Sequence, residues 1–145
     1  MAGRKSWQEK RESGKPAHVD VLAKPMFGLA PGSRLLIATP KLVEAYMRDI
    51  PRGEERTIAR MRDEMATQRK ADATCPLTSA IFARIVAEAA LEEMAAGRQA
   101  ADVAPFWRLF DANSPTAKKL SCGTDFVATQ RTLEGIGAST ARKKP

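Results

Sequence analysis

The chain has 145 residues, 43% of them apolar, and a formal net charge of +7. This length fits one domain with a real core, and no apolar run approaches the ~20 residues of a membrane-spanning helix. The basic N-terminus lacks the apolar stretch of a secretory signal, so a cytoplasmic location is expected; with two cysteines and one histidine (His18) there is no zinc set, and no metal or other cofactor is expected.

The charge divides unevenly. Residues 1–38 carry +4, residues 39–137 carry zero and residues 138–145 carry +3. The two ends supply the whole excess, so they are where non-specific, salt-sensitive affinity for a polyanion is expected. Three segments follow: a basic, mostly extended N-terminal tail over 1–34, a folded domain over 35–137 and a basic C-terminal tail over 138–145. In the first, Pro16, Pro25 and Pro31 break regular structure. A short helix is expected over Ser6–Arg11, and Val19–Leu22 and Met26–Leu29 are apolar islands able to pack onto the domain. Leu35-Leu-Ile reads as a short strand or an entry segment.

Thr39-Pro40 opens a helix, a cap residue followed by proline at the first helical position. Leu42, Val43, Tyr46, Met47 and Ile50 give it one apolar face, and Pro51 and Gly53 end it. Thr57 caps the next, with Ile58, Met61 and Met65 inward and Arg60, Arg62 and Arg69 outward. The longest helical pattern runs from Cys75 to Gly97, with Pro76 at its first position, Asp72 and Thr74 as candidate caps and Gly97 as its stop. Leu77, Ile81, Ile85 and Ala89, with Phe82, have the spacing of a buried face. Its outer face shows Thr78, Ser79 and Arg84 with no acid before Glu88, then Glu88, Glu92 and Glu93. An acid-free first half can approach a phosphate backbone; the plainer alternative is a core helix with a solvated face. Two helices, a short turn and a third make a helix-turn-helix arrangement.

After the polar stretch 98–104, Pro105-Phe-Trp-Arg-Leu-Phe has strand character, and a strand in that place predicts a wing. Asp111–Pro115 is a turn. Thr124-Asp125 caps a last helix carrying Phe126, Val127, Gln130, Leu133 and Ile136, ended by Gly135 or Gly137. The expected fold is mainly α (α+β), a small winged helix-turn-helix domain with a short β wing and flexible basic tails.

Four pieces stand in a telling order: Thr39-Pro-Lys-Leu-Val-Glu-Ala-Tyr, Ile50-Pro-Arg-Gly-Glu-Glu-Arg-Thr, the long helix, and Pro105-Phe-Trp-Arg-Leu followed by Gly123 and Gln130-Arg-Thr-Leu-Glu-Gly. Over residues 35–136 the chain resembles the DNA-binding domain of methylated-DNA–protein cysteine methyltransferases, and in particular their alkyltransferase-like relatives. The resemblance implies a winged helix-turn-helix that enters the DNA minor groove and rotates a damaged nucleotide out of the stack. The enzymes move the alkyl group to the cysteine of a Pro-Cys-His-Arg motif; the alkyltransferase-like branch lacks it and hands the lesion to repair partners. Here Phe106 stands in the cysteine's place and Trp107 in the histidine's. A phenylalanine accepts no alkyl group, so recognition of alkylated double-stranded DNA without transfer is the expectation. Pro105, Phe106, Trp107 and Arg108 then form the lesion pocket and Thr57, Thr78, Ser79 and Arg84 the DNA contacts, Arg84 near the position of the family's arginine finger. The plain reading of Phe106 and Trp107 is that they alternate on a strand, one packing in the core. Two rivals stand beside this reading. One is a transferase using Cys75, which stands at a helix start; the second thiol, Cys122, is the weaker candidate. The other is a winged-helix module for protein contact, its DNA surface eroded by Glu88, Glu92 and Glu93.

Overall fold

A computed structural model describes residues 6–12 and 14–136. Residues 1–5 of the expected N-terminal tail and the whole expected C-terminal tail, 138–145, lie outside the described residues. The chain runs α1 (Trp7–Glu12), β1 (His18–Val21), β2 (Arg34–Ile37), α2 (Pro40–Asp49), α3 (Ile58–Gln68), β3 (Ala73–Thr74), α4 (Pro76–Ala95), two 3-10 turns (Ala100–Asp102 and Phe106–Arg108), α5 (Pro115–Lys119) and α6 (Gly123–Leu133). The fold is mixed, helices dominating over one small sheet, as the α+β expectation has it. No described helix is long and apolar enough to cross a membrane.

The local signals carry the helix starts. Thr39 Oγ1 accepts from the Leu42 amide at 3.1 Å and Thr57 Oγ1 from that of Arg60 at 3.0 Å, each satisfying an amide that has no partner inside its helix. Pro40 and Pro76 occupy first-turn positions. At the end of α4, Gly97 takes φ +112°. Its amide bonds Met94 O, and the Arg98 amide bonds Glu93 O, the Schellman closure that a left-handed glycine permits. Gly135, φ +81°, closes α6 in the same way, with the Ile136 amide on Arg131 O. Neither proposed cap of α4 acts as one. Cys75 holds the cap position without a side-chain bond, Asp72 accepts instead from the Arg34 amide, and Thr74 donates to Arg62 O.

The sheet has the order β1-β2-β3, the first pair antiparallel and the second parallel. Strand alternation sends Leu36 to the main core and its neighbour Leu35 to a small cluster with Leu22 and Cys75. β3 runs straight into α4, the Cys75 amide bonding Leu36 O at 2.9 Å. Residues 1–34 therefore include integral parts of the fold: α1 packs on α4 and β1 is a sheet strand.

The expected Thr124-Asp125 cap also fails, because α6 already begins at Gly123, and two larger expectations fail with it. The expected wing strand at 105–110 is a 3-10 turn, and among the described residues no strand follows α4. Phe106, Trp107, Leu109 and Phe110 are all buried, so this run has no exposed alternate face to mark a strand. The second failure is part of the buried face expected for α4: Ala89 is buried and Phe82 packs against the core, but the face turns away from Leu77 and Ile81. Ser79, Ala83, Val86, Ala87 and Ala90 face the core, while Leu77 and Ile81 are 63% and 49% exposed. This helix is apolar on nearly every side, so periodicity cannot choose its face; small alanines win because they let α2 pack close.

Candidate nucleic-acid interface

The Pro105–Arg108 motif closes around one carboxylate. Glu134, whose side chain is 1% exposed, accepts from Trp107 Nε1 at 2.8 Å, from Arg108 Nε at 2.9 Å and Nη2 at 3.0 Å, and from the Gly53 amide at 2.9 Å. Arg108 Nη1 also reaches Ile50 O at 2.7 Å. Three of the pieces that carry the family resemblance, residues 50–57, 105–109 and 130–135, thus meet at Glu134. Glycine suits that place because its φ is +86°, in the left-handed region that side chains disfavour. Burial pushes the Glu134 carboxyl pKa up, but the bonds from Arg108, Gly53 and Trp107 outweigh burial and hold it below the ordinary value.

Phe106 is fully buried. Its ring packs with Trp107 (centroids 5.3 Å apart), Phe126 (5.9 Å) and Phe110 (6.3 Å). It is a core residue, so its assignment to a lesion pocket is corrected, for the same reason that the strand is: the 3-10 turn points it inward. Pro105, Trp107 and Arg108 do line a cleft of about 560 Å³, with Arg48, Arg52 and Gln130 around it. Glu134 and the exposed Leu133 lie along it as well.

Neither thiol belongs to that cleft. Cys75 is buried beside Leu22 and Leu35 on the sheet side. Cys122 is half-buried, and its thiol pKa is raised by burial and then by the charge of Glu88. A raised pKa leaves less of the nucleophilic thiolate.

The acids of α4 turn inward. Glu88 is 2% exposed and accepts from the Ser121 amide at 2.9 Å and the Ser121 hydroxyl at 2.5 Å. Glu92 caps α1, taking the Trp7 amide at 3.0 Å and the Gln8 amide at 2.9 Å. Burial raises the Glu92 pKa, and these two bonds, with the Gln8 side chain, bring it below the ordinary value. Glu93 pairs with Arg11 at 2.9 Å. With these three carboxylates bound internally, the outward side of α4's first half is a groove of about 340 Å³ between α1 and α5. Leu77, Ile81 and Ile85 form its floor, with Trp7 and Lys10 on one side, Thr116 and Lys119 on the other and Arg84 beside them. Among the described residues its lining includes no Asp or Glu. Lys10 Nζ lies 4.3 Å and the Arg84 guanidinium 5.3 Å from the Trp7 ring centroid. Arg84 Nε also stands 3.7 Å from Glu88.

The sequence-derived site residues therefore separate. Arg84 lines the α4 groove; Pro105, Trp107 and Arg108 line the other cleft, and the two share no lining residue. Thr57 is exposed at the start of α3, lining a small hollow that shares Thr116 with the groove. Thr78 is half-buried, its hydroxyl unpartnered. Ser79 is fully buried and donates to Cys75 O at 2.7 Å, so it is corrected from a DNA contact to a core residue. Sequence reasoning missed Glu134, Trp7, Lys10 and Lys119. Glu134 and Trp7 had a signal, since they sit in the Glu-Gly step and the Lys5-Ser-Trp stretch that belong to the resemblance; Lys10 and Lys119 are far from α4 in sequence and meet it only through folding. Against protein-family models, curated proteins and solved structures, the chain has no match.

Proposed function

We propose that the protein binds double-stranded DNA as an alkyltransferase-like protein, recognising alkylated or distorted duplex without alkyl transfer. In this reading α3 and α4 serve as the helix-turn-helix, and the outward face of α4's first half meets the nucleic acid. The observation that carries it is the groove itself: exposed Leu77 and Ile81 between Lys10, Arg84 and Lys119, with no lining carboxylate. Cations beside apolar side chains suit a minor groove, where phosphates are met by charge and base steps by apolar groups. The internal bonds of Glu88, Glu92 and Glu93 weaken the rival in which these acids repel DNA. Cys75, buried on the sheet side, weakens the transferase rival. The convergence of the motif pieces on Glu134 supports the family resemblance, with the motif serving as architecture. Arg84, held against Trp7 and Glu88, serves here as a cation beside the groove.

The test is a titration of the full chain against a short duplex, with and without one O6-methylguanine, at two salt concentrations. The full chain is needed because α1 and β1 belong to the fold. Salt-dependent binding, tighter to the modified duplex, is expected. Equal affinity for both duplexes would remove lesion recognition, and no binding would return the groove to protein contact.

A further inference from the structure

Resting on the DNA-binding reading above, we infer that the β1–β2 hairpin is a second nucleic-acid contact, with Phe27 at its tip acting as an apolar wedge against the bases of a duplex. Beyond the paired strands the hairpin continues through the Leu22 amide on Ser33 O (2.9 Å) and the Gly32 amide on Leu22 O (2.7 Å). It then closes on the four residues Met26 to Leu29, whose outer pair exchange both backbone bonds, at 2.8 and 3.1 Å. Phe27 and Gly28 have φ of 54° and 79°. Positive φ at both central positions marks a type I′ turn, which strongly prefers Asn or Asp before Gly. A phenylalanine there is held against its backbone preference. Local folding gives no reason for it, and neither does the core: Phe27 is 48% exposed and Met26 45%. A strained position that carries a large exposed apolar ring points outward, to a partner.

Charge and placement identify that partner. From residue 21 to residue 34 there is no Asp or Glu, and Lys24 and Arg34 are both exposed. The base of the hairpin is fixed beside the start of α4: Leu22 packs with Cys75, the cap residue of that helix, and Leu29 packs against the same cluster. Leu77, the exposed apolar residue of the groove, follows two positions later. Hairpin and recognition helix are thus rooted at one point, and an acid-free apolar tip next to lysine matches duplex DNA, whose base steps admit Phe or Met wedges and whose phosphates attract the flanking cations.

The closing experiment titrates wild-type full chain, Phe27→Asn and Phe27→Trp against the same duplex at two salt concentrations, with thermal melts of each protein. Phe27→Asn installs the residue the turn prefers, so its melting temperature is expected to equal or exceed wild type. Its affinity for duplex is expected to fall about tenfold, the scale of one lost stacking contact. The slope of affinity against salt is expected to stay unchanged, because no charge is removed. Phe27→Trp is expected to retain affinity. Wild-type binding with Phe27→Asn equally tight would overturn the wedge while leaving the DNA reading intact. Loss by Phe27→Asn of binding to anionic phosphatidylserine vesicles, with duplex affinity unchanged, would overturn it in favour of a lipid surface. No binding by wild type would remove both readings together.

Discussion

The two clefts of this molecule use similar side chains to opposite ends. At Glu134, arginine, tryptophan and a carboxylate satisfy one another, and the carboxylate is sealed from water. Along α4, arginine, lysine and tryptophan gather beside Leu77 and Ile81 with no lining carboxylate. In the first, the motif residues are spent on one another around Glu134; in the second, Leu77 and Ile81 stay exposed beside cations with no carboxylate in the lining described. A cluster that looks chemical in sequence is therefore a poor guide until its partners are counted. The motif residues with the most suggestive identities hold the fold together, and the helix with the least diagnostic sequence presents the open surface.

The largest expected effect breaks the closed side. Glu134→Ala leaves the half-buried Arg108 without its carboxylate and should cost about 3–5 kcal/mol of folding stability, the scale for removing one partner of a buried ion pair. Urea unfolding measures it. Duplex affinity of the molecules that remain folded should not change, since Glu134 lies outside the α4 groove; a variant that kept its stability but lost DNA would reverse the roles given to the two clefts. A smaller loss, about 2–4 kcal/mol, is expected from Phe106→Cys through the cavity it leaves among Trp107, Phe110 and Phe126. That variant places a thiol where the proposed resemblance puts the acceptor cysteine, yet the position is fully buried. Native protein should react with a thiol reagent there only as fast as it unfolds, and mass spectrometry after incubation with alkylated duplex should find no added alkyl group. Rapid labelling would mean that the aromatic cluster opens and that the motif is a pocket after all.

What could be read from sequence was local. Thr39 and Thr57 cap their helices because a cap needs only a hydroxyl and an amide three residues on, and Gly97 ends α4 because left-handed backbone suits glycine. Of the small sheet only β2 was legible, as Leu35-Leu-Ile; its pairing with β1 and β3 and the inward turn of α4's acids were not. Glu88 finds its partner at Ser121, Glu92 at Trp7 and Gln8, and Glu93 at Arg11, separations that no periodicity encodes. Of the site, Arg84 and the acid-free first half of α4 were visible; Lys10 and Lys119, which flank it, were not, because α1 and α5 reach α4 only in three dimensions. The run at 105–110 misled in a different way. Buried apolar pairs on either side of Arg108, Phe106-Trp107 and Leu109-Phe110, look the same whether the chain is extended or wound into a 3-10 turn.

A middle-sized effect sharpens the border between the regions. Glu92 holds α1 in place, and α1 supplies Trp7 and Lys10 to the groove. Both Glu92 and Glu134 have folded-state pKa values below the ordinary 4.5. A lowered carboxylate pKa stabilises the fold above the unfolded value, and that stability is lost as pH falls through the folded value. Stability should thus be level near neutrality and decline below about pH 4.5, in urea melts taken across that range. Glu92→Gln should cost about 1–3 kcal/mol at neutral pH and flatten part of the acid decline. Hydrogen exchange should quicken at the amides of α1 while those of α6 keep their protection. Equal quickening in α6 would mean that α1 is no separate strap and that the two clefts open as one unit.

The smallest effect on the fold tests the open side most directly. Lys119 is exposed at the last position of α5, on the rim of the α4 groove. Lys119→Gln should change folding stability by no more than about 0.5 kcal/mol, as for most surface replacements. A lysine that neutralises one phosphate releases about one counterion, so the slope of log affinity against log salt should become shallower by about 0.9. The loss should be equal on plain and methylated duplex, because a phosphate contact positions the protein without reading a base. Arg108→Lys, on the closed side, should do the reverse: it breaks the forked bond to Glu134 and lowers stability while the salt slope stays as it was. An unchanged slope in Lys119→Gln would take α5 out of the interface and leave the groove's cations as solubilising charge.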